Sequence, residues 1–153
     1  MEEIALIRDQ LQKSFYGEPW YGSSLLELLK DVKPYEAFSK PSENIHTIWE
    51  IVLHISAWQK IVLQRLSGKQ AEPTLEEDWP PVENSDESSW EKALTKLKES
   101  FSALIDYLSN FDDSMLGKNV PGKNYTNYFM LHGLVQHNVY HAGQIALLNK
   151  SLK

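Results

Sequence analysis

Cysteine is absent from the 153-residue chain. Disulfide bonds, thiolate nucleophiles and zinc–thiolate clusters are therefore excluded as properties of this chain, and any thiol chemistry requires a thiol from outside. Long apolar runs are also missing, since no stretch approaches the roughly 20 apolar residues that span a membrane. The sequence predicts neither a disulfide scaffold nor a membrane protein, and we expect no membrane partner.

Clusters of basic residues are the third absence. The chain carries 15 Lys and Arg against 21 Asp and Glu, a net charge of −6, with no basic run that could follow a phosphate backbone. We therefore expect no nucleic-acid partner. The opening MEEIALIRDQLQKSF has a helical pattern and lacks the basic start, apolar middle and cleavage site of a secretory signal. Cytoplasm is the expected location.

Hydrophobic residues make up 42% of the chain and recur mainly at helical spacing. A strand-like alternation of apolar and polar residues does not persist anywhere, and the length suits one domain, residues 1–153. We predict an all-α fold, an up-and-down-type four-helix bundle. Its segments are residues 2–12, interrupted around 17–22 and resumed from 23, then 47–66, 88–110 and 127–148.

Helix-start signals and loop residues mark the ends of these segments. Thr47 and Ser88 each stand three residues before a glutamate, which predicts a capping box at both positions. Pro34 and Pro41 bracket a predicted connecting loop. Residues 69–88 are rich in proline and acidic residues and predict a loop, either ordered or a mobile cover over the rest of the protein.

Two histidines of the last segment, His137 and His141, are one helical turn apart, so their rings can converge on one ion. They share a helix face with apolar residues, which predicts that they point into the bundle. His54 lies on the apolar side of the second segment, within WEIVLHISAW, and is a third inward-facing histidine. The pattern therefore offers three imidazoles to one site.

Three neutral imidazoles with an open position suit a divalent ion of zinc, nickel, cobalt, manganese or iron. The alternative is structural, because an HxxxH pair also occurs at surfaces or in cores where the rings bond to backbone carbonyls. No Asp, Glu or Lys is placed beside the three histidines in an obvious general-base role. The residues alone leave the metal site and the histidine core both open.

Three stretches carry a resemblance to a known family: Trp20-Tyr21-Gly22, HTIWEIVLHISAWQKIVLQRLSG and HGLVQHNVYHAGQIALLNK. Together they resemble the DinB family, also described as DinB/YfiT-like metalloenzymes, over nearly the whole chain. The most specific part is HxxxHAGQI, which resembles the family's H-x3-H-x-G-Q-I ending.

The resemblance implies a four-helix bundle that holds one metal ion through three histidines, which map onto His54, His137 and His141. It also implies a homodimer. Some relatives are thiol-dependent transferases or isomerases that use a low-molecular-weight thiol such as bacillithiol or mycothiol, so a similar thiol and a small-molecule substrate are the expected partners.

The leading functional hypothesis is an enzyme whose metal ion lowers the pKa of an exogenous thiol, so that the thiolate attacks an electrophilic substrate. One alternative is a metal-dependent hydrolase that activates water. Another is a non-catalytic module for binding or stress response, in which the ion only stabilises the bundle. No catalytic side chain is assigned from the sequence.

Three residues near the histidines have two interpretations each. Glu50 is either a capping partner or an acceptor for the second N–H of a ligating histidine. Gln144 either hydrogen-bonds a bound water or substrate, or bridges two helices. Gly133 either leaves space for a bound molecule or allows close helix packing.

Aromatic residues and the two remaining histidines complete the prediction. Trp58 is one turn after His54 and could form a wall of the pocket, as could Trp20 and Tyr21. His46 and His132 are not expected to share the ion, since one precedes a helix start and the other lies about 140° around its helix from His137.

Overall fold

The computed structural model of the chain describes residues 2–153, and within that range the chain forms helices and no strand. A short 3-10 turn, Asp113–Met115, precedes the last helix. The helices are α1 (Glu3–Phe15), α2 (Leu25–Leu29), α3 (Pro34–Phe38), α4 (Ile48–Leu66), α5 (Leu75–Asp78), α6 (Glu87–Ser109) and α7 (Asn127–Ser151).

The four long helices form the bundle. Helix α4 packs against α6 and α7, and α1 packs against the same two helices, so the four surround one core. Fully buried side chains come from all four, among them Leu11, Ile55, Leu104 and Leu131. The predicted all-α fold and four-helix bundle are confirmed. None of the helices in residues 2–153 has the length and apolar character needed to cross a membrane.

One of the two predicted capping boxes is present. The Thr47 hydroxyl accepts from the Glu50 N–H at 3.1 Å, and the Glu50 carboxylate accepts from the Thr47 N–H at 2.7 Å. The box predicted at Ser88 is wrong, because α6 begins earlier and Asp86 caps it by accepting from the Ser89 N–H at 2.7 Å. A carboxylate at this position also complements the helix dipole.

Two regions predicted as loops contain short helices. Helix α3 begins at Pro34, where the fixed φ of proline suits the first helical position and its missing N–H costs nothing. Residues 69–85, which we call the acidic segment, contain α5, and Thr74 and Glu77 form its capping box. The acidic segment is therefore an ordered connection between α4 and α6.

Candidate metal centre

Three histidines from two helices meet inside the bundle. His54 comes from α4, and His137 and His141 come from successive turns of α7, which packs against α4. The Nε2 atom of His137 lies 3.0 Å from Nε2 of His54 and 3.1 Å from Nε2 of His141. We call these three residues the histidine triad. The structure thus brings together all three histidines that the sequence singled out.

Hydrogen bonds at the far side of two rings fix their tautomers. The Nδ1–H of His54 donates to the backbone carbonyl of Asp78 at 2.6 Å, and the Nδ1–H of His141 donates to Oε1 of Gln144 at 2.6 Å. Both acceptors are oxygens that only accept, so each Nδ1 carries the proton and each Nε2 carries a lone pair. Two lone pairs therefore point at His137.

His137 cannot satisfy both neighbours from within the protein. Its Nε2 can donate one proton at most, and its Nδ1 is buried with no hydrogen-bond partner in residues 2–153. A divalent cation between the three Nε2 atoms would accept all three lone pairs at once. Imidazole nitrogens are ligands that zinc, cobalt, nickel and iron accept, so the donor set fits such an ion.

The electrostatics of the site keep the three imidazoles neutral. Burial, together with the positive charges that His141 and His54 would carry, lowers the pKa of His137 to about 3. Burial also lowers the pKa of His54 and of His141, although hydrogen bonds to Asp78 and Gln144 partly oppose this effect. Neutral imidazole is the form that binds metal ions.

The acidic segment contributes two residues that sequence reasoning missed. Besides its backbone contact with His54, Asp78 accepts at Oδ1 from the Trp58 indole N–H at 2.6 Å. The Trp79 ring stacks on His54 at 3.8 Å and on His46 at 3.7 Å, with both ring pairs within 5° of parallel. The capping box at Thr74 signals α5, but no signal in the sequence shows that α5 lies against α4.

The structure shows the roles of Glu50, Gln144 and Gly133 beside the triad. Glu50 caps α4 and also lies 3.4 Å from Nδ1 of His46, and the acceptor role considered for it is taken by Asp78, which is the acid beside the triad that the sequence did not show. Gln144 orients His141 instead of bridging helices. A Cβ at Gly133 would meet no atom within 4 Å apart from its chain neighbours and the backbone of its own helix, so close helix packing is the wrong explanation for this glycine.

Of the remaining residues considered in the sequence analysis, some lie near the histidine triad and others lie far from it. Trp58 contacts the site, whereas Trp20 is fully exposed and does not line it. His132 lies beside Glu3, with Nε2 3.5 Å from its carboxylate, and does not join the triad. His46 stays outside the ligand set but contacts Trp79, which covers His54.

An open cleft of about 650 Å³ leads from the surface to the triad. His54 and His137 contribute to its lining, and Gly133 leaves part of it free of side chains. The other polar and aromatic lining residues are Trp58, Arg65, Glu72, Asp78, Lys123, Tyr125 and Phe129. A small molecule can therefore reach the side of the triad that faces the cleft.

A sequence model of the DinB superfamily matches residues 22–145, which include all of α4 and most of α7. The chain belongs to the DinB superfamily. The resemblance read from the sequence is thereby confirmed, and the match to DinB proteins encloses the whole histidine triad. Searches of curated proteins and of solved structures gave no match, so the DinB assignment rests on the family comparison.

Loss of the Gln144 oxygen that accepts from His141 should weaken metal binding. We expect Gln144→Leu to lower the affinity for zinc roughly 10- to 100-fold, because outer partners of ligating histidines typically contribute that much. Gln144→Glu is the matched control, since it keeps an acceptor for the Nδ1–H of His141. Competition with a chromophoric chelator measures both affinities, and equal affinity for the leucine variant and the wild type would contradict this role.

Proposed function

We propose that this DinB protein binds one divalent metal ion through His54, His137 and His141 and uses it to activate an exogenous low-molecular-weight thiol for S-transfer. The observation that carries the proposal is the convergence of three Nε2 atoms beside an open cleft. Two of these atoms carry lone pairs, and the protein can satisfy one of them at most. A bound ion would supply Lewis acidity that lowers the pKa of a thiol at its open position.

The surroundings of the triad support a thiol more than a water as the activated group. The chain has no cysteine, so the thiol must come from outside, and the cleft gives it a route. A hydrolase would gain from a free general base on the cleft side. Asp78, the acid beside the triad, is engaged by the Trp58 indole and by His54, and so is not free for that role.

The test is a conjugation assay with bacillithiol and an alkylating electrophile. Zinc-loaded protein should form conjugate at least about tenfold faster than the thiol alone at pH 7, because a free thiol of pKa about 8.5 is only a few per cent thiolate there. His54→Ala should remove the acceleration. Equal rates with and without the protein would contradict S-transfer, and metal-dependent hydrolysis of an ester in their place would favour a hydrolase.

A further inference from the structure

Arg65 is a buried cation in the wall of the same cleft. It lies near the end of α4, and only 5% of its surface is exposed. Its Nε donates to the backbone carbonyl of Ala71 at 3.0 Å, and its Nη1 donates to the Tyr125 hydroxyl at 3.1 Å. The guanidinium also lies over the Trp58 ring, 5.4 Å from the centroid. All of these partners are uncharged.

No acid contacts this guanidinium directly. Within residues 2–153, no carboxylate oxygen forms an ion pair with Arg65, and its Nη2 makes no hydrogen bond. The two acids that line the cleft are engaged elsewhere: Glu72 pairs with Lys123 at 2.6 Å, and Asp78 accepts from Trp58. A buried charge is costly without a partner, and although Glu72 lies close enough to feel the charge of Arg65, no carboxylate contacts the guanidinium, so its free N–H donors can bind an added anion.

The position of Arg65 relates it to the triad. It is eleven residues after His54 on α4, which is three turns and nearly the same helix face. The cleft has the histidine triad at one end and Arg65 at the other, and the Trp58 ring lies between them. The ring centroid of Trp58 is 6.2 Å from that of His137, and the guanidinium lies over the Trp58 ring. A ligand that touches both ends needs several bonds between its anionic group and its reacting group.

We propose that Arg65 binds the carboxylate of a small organic acid whose reacting end lies at the histidine triad. Guanidinium binds carboxylate with paired N–H donors, and its planar face is already held by Trp58. A monoanion fits better than a phosphate dianion, because Lys123 is already neutralised by Glu72. This proposal deepens the function proposed above and depends on it only for the reacting end of the ligand.

The first arm of the test needs neither metal nor turnover. Hexanoate is titrated into metal-free protein and its dissociation constant is measured by NMR. We expect Arg65→Gln to weaken binding by about tenfold or more, the usual scale for a charge-assisted bond. Lys60→Gln, which removes an exposed cation of α4 outside the cleft, should bind hexanoate like the wild type.

The second arm asks which reactant carries the carboxylate. Cobalt-loaded protein is titrated with 6-mercaptohexanoate and with the neutral 6-mercaptohexanol, and thiolate binding is followed by its absorption band. A preference for the acid that disappears in Arg65→Gln places the carboxylate on the thiol. Equal binding of both thiols, with hexanoate binding still dependent on Arg65, places it on the electrophile.

The outcomes separate this proposal from the proposed function. Hexanoate binding that depends on Arg65 in a protein whose cobalt form binds no thiol would support the carboxylate site and contradict thiol activation. Unchanged hexanoate binding in Arg65→Gln would overturn the carboxylate site. If only the glutamine variant melts early, the wild type is titrated with the neutral hexanamide instead, and binding as tight as that of hexanoate would also overturn the carboxylate site.

Discussion

Replacing His137 by alanine is expected to remove the bound divalent ion almost completely. His137 lies between the other two ligands, with its Nε2 within 3.1 Å of both. Structural zinc sites with four ligands contribute about 10–16 kcal/mol, or about 3 kcal/mol for each ligand. The affinity should therefore fall roughly a hundredfold to a thousandfold. Metal content by mass spectrometry on tag-free protein purified without chelators, followed by chelator competition, measures the change.

The matched control for this experiment is His132→Ala. His132 is also on α7, but it lies beside Glu3 and away from the triad, so its loss should leave near one equivalent of metal in place. Unchanged stoichiometry in His137→Ala would show that the ion is held elsewhere. A wild-type protein that gains neither metal nor thermal stability during titration would instead indicate a histidine-rich core and a binding function.

The bundle and the triad could be predicted because both depend on short-range periodicity. His137 and His141 are one turn apart on a long helix, and His54 lies on an apolar helix face, so three inward-facing rings follow from helix geometry alone. That the three rings meet at one point depends on how α4 packs against α7. The helical period of the sequence does not predict how two helices pack against each other, whereas the family resemblance implies a common site for the three histidines.

The acidic segment could not be placed from the sequence. Its prolines and acids are typical of loops, and the four residues of α5 are too short for a periodicity signal. Its position depends on long-range contacts, such as the stacking of Trp79 on His54 and the carbonyl of Ala71 that accepts from Arg65. The burial of Arg65 has no signal in the sequence for a related reason, since an arginine in the last turn of a helix is commonly a partner of the helix dipole.

These contacts give the acidic segment a role at both ends of the cleft. At the inner end, Asp78 fixes the tautomer of His54 and holds Trp58. At the outer end, Ala71 orients Arg65 and Glu72 neutralises Lys123. The acidic segment therefore determines which nitrogen of His54 faces the triad and also holds the guanidinium of Arg65 in place. A displacement of residues 69–85 would affect metal binding and the proposed anion binding at once.

The metal-free protein is expected to lose stability as the pH falls below about 6.5. Burial and the neighbouring His141 and His54 lower the pKa of His137 to about 3 in the folded protein, whereas the unfolded chain has the ordinary value near 6.5. Between these values the unfolded state binds the proton and the folded state does not, so acid favours unfolding. The full contribution is present above pH 6.5 and is lost progressively towards pH 3. At pH 5 the free energy of unfolding should be lower by about 2 kcal/mol.

Urea denaturation of metal-free protein at pH 7.5 and pH 5 measures this difference, and His137→Gln is the informative variant. Glutamine does not titrate and is close in size, so the variant should lose the roughly 2 kcal/mol that His137 contributes and keep only the additional pH dependence due to His54 and His141, whose pKa values burial also lowers. A wild type equally stable at both pH values would mean that His137 is not held neutral in the folded state.

Zinc should steepen the loss of stability in acid, because protons and the ion compete for the same three nitrogens.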